Sequence, residues 1–198
     1  MDRHNQKEIV HLVASLIVLT VAFSYPAVDP RTLAIVAFGV GMGFLLHELA
    51  HKFTAQRYGY VADYEASPTG LVLALFLSIF AGFVFAAPGA VMIRGKKAFY
   101  GAQQYPDSLQ SAREFAYISV SGPVVNLSLG ISFLIASLFV PHSGIIYAIF
   151  SNGTRINVFL AGFNMIPFGP LDGAKVWRYN PMLWGLIGIP SVILFFIL

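Results

Sequence analysis

The chain contains no cysteine. Disulfides and thiolate zinc sites are therefore excluded. Charge is scarce as well: Asp, Glu, Lys and Arg make up 11% of the 198 residues, whereas a soluble domain carries roughly 25%. There is no room for a separate soluble domain, no internal repeat and no low-complexity tract. The net charge of +3 is small and the basic residues cluster in loops, which suits membrane topology and excludes nucleic-acid binding. What the chain does have is apolar length. It is 57% hydrophobic with a mean hydropathy of +0.73, and several runs reach or approach the ~20 residues that cross a bilayer. These features predict an all-α, multi-pass membrane protein forming one embedded unit over 1–198. The first apolar run lacks a small-residue cleavage site and reads as a retained helix, not a signal peptide.

The expected spans follow the breaks in the pattern. The first runs over 9–25 and ends at Pro26 and the turn-forming Asp29-Pro30. The second runs from Arg31 to about Tyr58, with Gly39, Gly41 and Gly43 allowing close helix approach or simple helix flexibility. Residues 59–69 are polar and fit a short strand. The apolar run 70–87 fits either a span or a hairpin turning at Ala81-Gly82. A further span falls within 112–140, and 141–155 reads as an outer loop with a short apolar segment. Two prolines and two glycines between Pro167 and Gly173 must break any helix, and 181–198 is the last span. The total is about five to six spans.

Within the second span lies Phe44-Leu45-Leu46-His47-Glu48-Leu49-Ala50-His51. Histidines four apart share one helix face and can hold one metal ion, with the intervening carboxylate in reach of a water. A catalytic zinc needs a third protein ligand. The extended H-E-x-x-H-x-x-G-x-x-H form is ruled out, because Thr54 and Arg57 occupy its last two positions. Glu65 and Glu114 both lie in polar loops, and Asp172 is the one acidic residue after Phe115. An unpaired carboxylate in an apolar, broken segment is costly, so Asp172 is the preferred third ligand. The alternative for Asp172 is an N-cap or turn aspartate at the membrane edge.

His47-Glu48-Leu49-Ala50-His51, then Ser121-Gly122-Pro123-Val124-Val125-Asn126, then Phe163-Asn164-Met165-Ile166-Pro167 running into Leu171-Asp172-Gly173, resembles the site-2 protease family of intramembrane zinc metalloproteases. The resemblance covers roughly 31–180, leaving 9–25 and 181–198 as peripheral helices. It implies one Zn2+ per chain, held by His47, His51 and Asp172, with Glu48 activating water. It also implies that Asn126 lies near the site and helps bind the scissile peptide or its oxyanion, with Asn164 a weaker candidate for a similar contact. The implied substrate is a transmembrane protein in a lipid bilayer, and the implied activity is that of a zinc metalloendopeptidase. Ala50 and Ala174 stand where the family more often has glycine. The PDZ-like or nucleotide-sensing domains of many relatives have no counterpart in this sequence.

Depth tests the site, because ligands can share a metal only at one level in the bilayer. With a cytoplasmic N-terminus, Asp172 reaches the histidines if 70–95 dips in and returns, and misses them if 70–87 crosses. Re-entry puts Arg3, Lys7, Lys52, Arg57, Arg94, Lys96, Lys97, Arg113, Lys175 and Arg178 on the cytoplasmic side, with Arg31 and Arg155 outside. That is a positive-inside pattern. The expectation is therefore a re-entrant hairpin or loop between Gly70 and Gly95, for which the family resemblance also implies a membrane-dipping β-hairpin. The site would then face the cytoplasmic side of a cell membrane. Two competing readings are another membrane zinc hydrolase, acting on lipid or prenylated protein ends, and an inactive or transporter-like relative in which His and Asp relay protons.

Overall fold

The computed structural model describes residues 3–96 and 108–198. Lys97, one of the expected cytoplasmic charges, lies outside them, as do the side chains of Arg3 and Lys96. In chain order the elements are α1 (Arg3–Ser24), α2 (Pro30–Val40), a π-helical segment (Gly41–Leu45), α3 (Leu46–Arg57), β1 (Tyr60–Ala66), α4 (Pro68–Ala81), β2 (Gly89–Lys96), α5 (Ser108–Ser137), α6 (Ile145–Asn164), α7 (Asp172–Tyr179) and α8 (Pro181–Ile197). α2, the π segment and α3 form one continuous helical run.

Among the described residues, three helices are long and apolar enough to cross a membrane: Asn5–Ser24, Pro30–Arg57 and Ala112–Ser137. This is fewer than the expected five to six, for reasons of length and polarity. α4 and α8 are apolar but only 14 and 17 residues long, and α6 has 20 residues but carries Asn152, Thr154, Arg155 and Asn157. The lipid-facing character is nonetheless plain at the surface, where Phe80, Phe139, Met182 and Phe196 are 74%, 82%, 87% and 81% exposed. A water-soluble fold would not leave so many large apolar side chains uncovered.

The expected outer loop over 141–155 is incorrect from Ile145 onward, where α6 begins. Its polar residues are satisfied inside the helix: Asn152 Nδ2 donates to the Ala148 carbonyl at 2.8 Å and Thr154 Oγ1 to the Phe150 carbonyl at 2.9 Å. Gly153, within that stretch, is a packing position. A Cβ there would stand 2.8 Å from the Phe133 ring.

The fold is mostly helical, as expected, with one small sheet added. β1 and β2 form an antiparallel pair running from Tyr60↔Lys96 to Ala66↔Gly89. Between the strands the chain leaves at Ser67, runs along α4 and reverses at Gly82, whose φ of +64° a side chain would resist. It then returns in extended form to Gly89. The chain does turn at Ala81-Gly82, but the outgoing arm is a helix, not a strand. Ser67 caps α4 by accepting from the Gly70 N–H at 3.2 Å, and Pro68 occupies the first helical turn. Because Ala66 pairs with Gly89, the excursion ends where it began.

The sheet is tied to the helices by charge. Lys52 Nζ on α3 lies 2.6 Å from Glu8 Oε2 on α1, and Glu8 Oε1 accepts from the Tyr64 N–H of β1 at 3.1 Å. The Tyr64 hydroxyl shares a hydrogen bond with Ser15 at 2.8 Å, and its ring meets Phe44 edge-on. Where the excursion closes, Gly70 meets backbone: a Cβ would lie 2.2 Å from the Ala87 carbonyl oxygen. Gly70→Ala is therefore expected to cost about 1–3 kcal/mol through overpacking. Gly41→Ala, which would meet no atom closer than 3.9 Å, should leave the thermal midpoint nearly unchanged, and thermal unfolding of the two variants in detergent checks the contrast.

Candidate metal centre

α3 places His47, Glu48 and His51 in the interior, 5%, 7% and 6% exposed. The π segment immediately before it carries one residue more per turn than an α-helix, a feature found often at functional sites. α5 answers α3 with one face at four-residue intervals: Ile118, Gly122 and Asn126. The two helices run antiparallel there, so His51 meets Ile118 and His47 meets Asn126.

Each imidazole is fixed by its Nδ1. His51 Nδ1 lies 2.7 Å from the Ile118 carbonyl oxygen, which can only accept, so this nitrogen carries the proton. His47 Nδ1 lies 2.6 Å from Asn126 Oδ1. The Asn126 amide nitrogen donates to the Gly43 carbonyl at 3.1 Å, which orients the oxygen toward His47. His47 Nδ1 is therefore also the donor. Both Nε2 atoms are left with lone pairs, and they face each other at 2.9 Å.

Asp172 completes the group. Its Oδ2 is 3.0 Å from His51 Nε2 and 3.4 Å from His47 Nε2. It is the first residue of α7, and Leu171 is the N-cap, so the capping alternative for Asp172 does not describe this site. Gly173 lets α7 begin tightly against the end of α6, since a Cβ there would sit 2.2 Å from the Met165 carbonyl oxygen. One ligand atom from each of His47, His51 and Asp172 lies within 4.8 Å of the others. Two neutral imidazole lone pairs and a carboxylate repel one another unless a cation stands among them, so these residues fit a metal ion by the chemistry of their donors.

Glu48 Oε2 is buried and has no hydrogen-bond partner among the described residues. An unpaired carboxylate oxygen is costly in the interior unless water or a cation reaches it. A cavity of about 640 Å³ supplies the space, lined by Glu48, both histidines and Asp172 together with Asn164 and the whole of Gly89–Ile93 in β2. Asn164 therefore reaches the cavity. Asn126 does not: it is fully buried behind His47 with its amide engaged.

Sequence patterns did not single out Gly122 as functional. A Cβ on Gly122 would stand 2.5 Å from His51 Nε2 and 2.6 Å from His47 Nε2. Its signal was its place four residues before Asn126, on the helix face the histidines need.

Two imidazoles and a carboxylate converging on one point, with a second carboxylate beside them and a cavity at the mouth, have the composition of a hydrolytic metal site. No protein-family profile matches the chain. The chain is 37% identical over 190 residues to a "Putative zinc metalloprotease" of Methanocaldococcus jannaschii, covering 96% of this chain and 93% of that one. It is 28% identical over 154 residues to a "Putative zinc metalloprotease" of Bacillus subtilis, covering 68% and 64%. The solved site-2 protease of Methanocaldococcus jannaschii superposes with a TM-score of 0.47 at 18% identity, covering 94% of this chain and 85% of that one. The chain belongs to the site-2 protease family and is an integral membrane protein.

Gly122→Ala is expected to lower divalent-metal affinity by about a hundredfold, at the upper end for residues that support metal ligands. Chelator competition on the purified variant measures this.

Proposed function

We propose that the chain is an intramembrane zinc metalloendopeptidase that cuts peptide bonds within or beside transmembrane segments of other membrane proteins. The observation that carries the reading is the convergence of His47, His51 and Asp172 lone pairs next to Glu48 at the cavity wall, whose Oε2 has no hydrogen-bond partner among the described residues. In this reading the three residues hold one Zn2+, which when bound polarises the scissile carbonyl and acidifies water to a pKa of about 7.

The chain's own groups then do the following. Glu48 takes a proton from the attacking water and delivers it to the leaving amine. Ile118 and Asn126 keep both histidines protonated at Nδ1, so that both Nε2 atoms remain ligands. Asn126 serves the reaction through His47, and Asn164, at the cavity, is the better placed asparagine to meet the substrate carbonyl. Among the described residues β2 belongs to a two-stranded sheet and one of its edges has no strand beside it, and its residues 89–93 line the cavity. A substrate unwound from its helix can add to that edge as a third strand, which presents its carbonyls in extended form.

The same residues support a bilayer arrangement in which the shorter α8 and the more polar α6 also serve as spans. α1, the Pro30–Arg57 run, α5, α6 and α8 cross, and 67–88 enters and returns on the cytoplasmic side. The Ala66↔Gly89 pairing supports the return, and the positive-inside pattern supports the side. Together 1–198 form one catalytic unit with its core over 31–180.

Glu48→Gln should keep zinc and lose about 10²–10⁴-fold in peptidase rate, while Asp172→Ala should lose zinc as well. Metal analysis beside cleavage of a reconstituted transmembrane substrate separates the two, and full activity in Glu48→Gln would sink the proposal. The native chain is free of cysteine, so a single cysteine placed at the exposed Arg94 reports sidedness: an impermeant thiol reagent should modify it only from the cytoplasmic face.

A further inference from the structure

We infer that Asn157 is a positioning residue for the metal centre, acting on His47 through Asn126. This rests on the proposed metal role of His47. Asn157 lies on α6 and is fully buried, as is Asn126 on α5. Neither residue lines the cavity, so neither meets substrate. A buried amide must satisfy both its donors and its acceptor, and here the partners form one directed chain. Asn157 Nδ2 donates to the Gly153 carbonyl of its own helix at 2.8 Å. That bond fixes which end of the Asn157 amide points at Asn126, and Asn157 Oδ1 accepts from Asn126 Nδ2 at 3.0 Å. Asn126 Nδ2 has its second acceptor at Gly43, so Asn126 Oδ1 is the atom left for His47 Nδ1.

An asparagine amide has two nearly isosteric orientations, and only the partners choose between them. Flipped, Asn126 would present Nδ2 to His47 Nδ1. The imidazole proton would then belong on Nε2, and His47 would no longer offer a lone pair to a metal. Two acceptors, the Gly43 carbonyl and Asn157 Oδ1, prevent the flip. Gly43 and Asn157 are themselves in contact, since a Cβ on Gly43 would lie 2.8 Å from Asn157 Oδ1. The relay therefore joins the π segment, α5 and α6 behind a single ligand of α3.

The test is a double-mutant cycle on zinc affinity, measured by chelator competition with the purified chain in detergent. Asn126→Leu and Asn157→Leu should each weaken zinc by about 10–100-fold. Because the two residues act in series, the double variant should be no weaker than Asn126→Leu alone to within about twofold. Asn157→Asp should restore affinity, because a buried protonated carboxyl can accept from Asn126 and donate to Gly153. The visible absorption of the cobalt-loaded protein should change in Asn157→Leu and recover in Asn157→Asp, a response that general loss of packing does not give. If the leucine variant does not fold, Asn157→Ser, too short to reach Asn126, takes its place. Zinc affinity unchanged in Asn157→Leu, or full additivity in the double variant, overturns the relay alone. Absence of zinc binding by the wild-type chain overturns the metalloprotease reading and the relay with it.

Discussion

Three acceptor atoms turned toward one another inside an apolar bundle are tolerable only with a cation among them. Much else in this molecule is arranged so that they can be turned that way. His47 and His51 must present Nε2, so their Nδ1 atoms are held by acceptors on α5. α5 must come close enough to provide those acceptors, which requires glycine at 122. Asp172 must arrive at the same level from a different helix, which requires the chain to break after α6 and restart at α7 with glycine at 173. Each of these is a constraint of contact distance. Together they explain why small and polar residues gather in a chain that is otherwise 57% hydrophobic.

The same site imposes a condition on the rest of the path. In the proposed bilayer arrangement, an α4 that ran onward across the membrane would invert the helices that follow and put Asp172 on the wrong side. The excursion from Ala66 back to Gly89 avoids this. It does so with a capped helix, a left-handed glycine and an extended return, and the glycine at 70 makes the return close. In that arrangement the return lies within the bilayer, where non-helical backbone must be covered by protein or border a cavity. Here it does border one, since Phe85–Ala87 and β2 line the space in front of Glu48.

Much of this was legible in the sequence, and the reasons are particular. The His47–Glu48–His51 spacing has a direct reading on a helix, and Asp172 stands out because acidic residues are nearly absent from the second half of the chain. The turn at Ala81-Gly82 was also legible, because glycine in an apolar run marks a reversal. The helical nature of α4 was legible only in part, since Leu and Ala favour helix whereas Phe83-Val84-Phe85 fits either state. The start of α6 was hidden by Asn152, Gly153 and Thr154, which look like a loop until their hydrogen bonds to the preceding turn are seen. Asn126 stands one layer behind the expected place: it meets His47, not the cavity. Asn157 carried one weak signal, an amide inside an apolar helix, where polar groups need a partner. Nothing in the sequence said which partner.

The π segment at Gly41–Leu45 has a consequence of its own. A π turn inserts one residue into the winding, and one residue of α-helix corresponds to about 100° of rotation. Everything downstream is indexed by that insertion. Removing a single residue from this stretch would leave the H-E-x-x-H motif intact in spelling and would swing its face about a quarter turn away from α5 and α7. The motif spells out the two histidines, but their aim is set by the winding of the helix that precedes them.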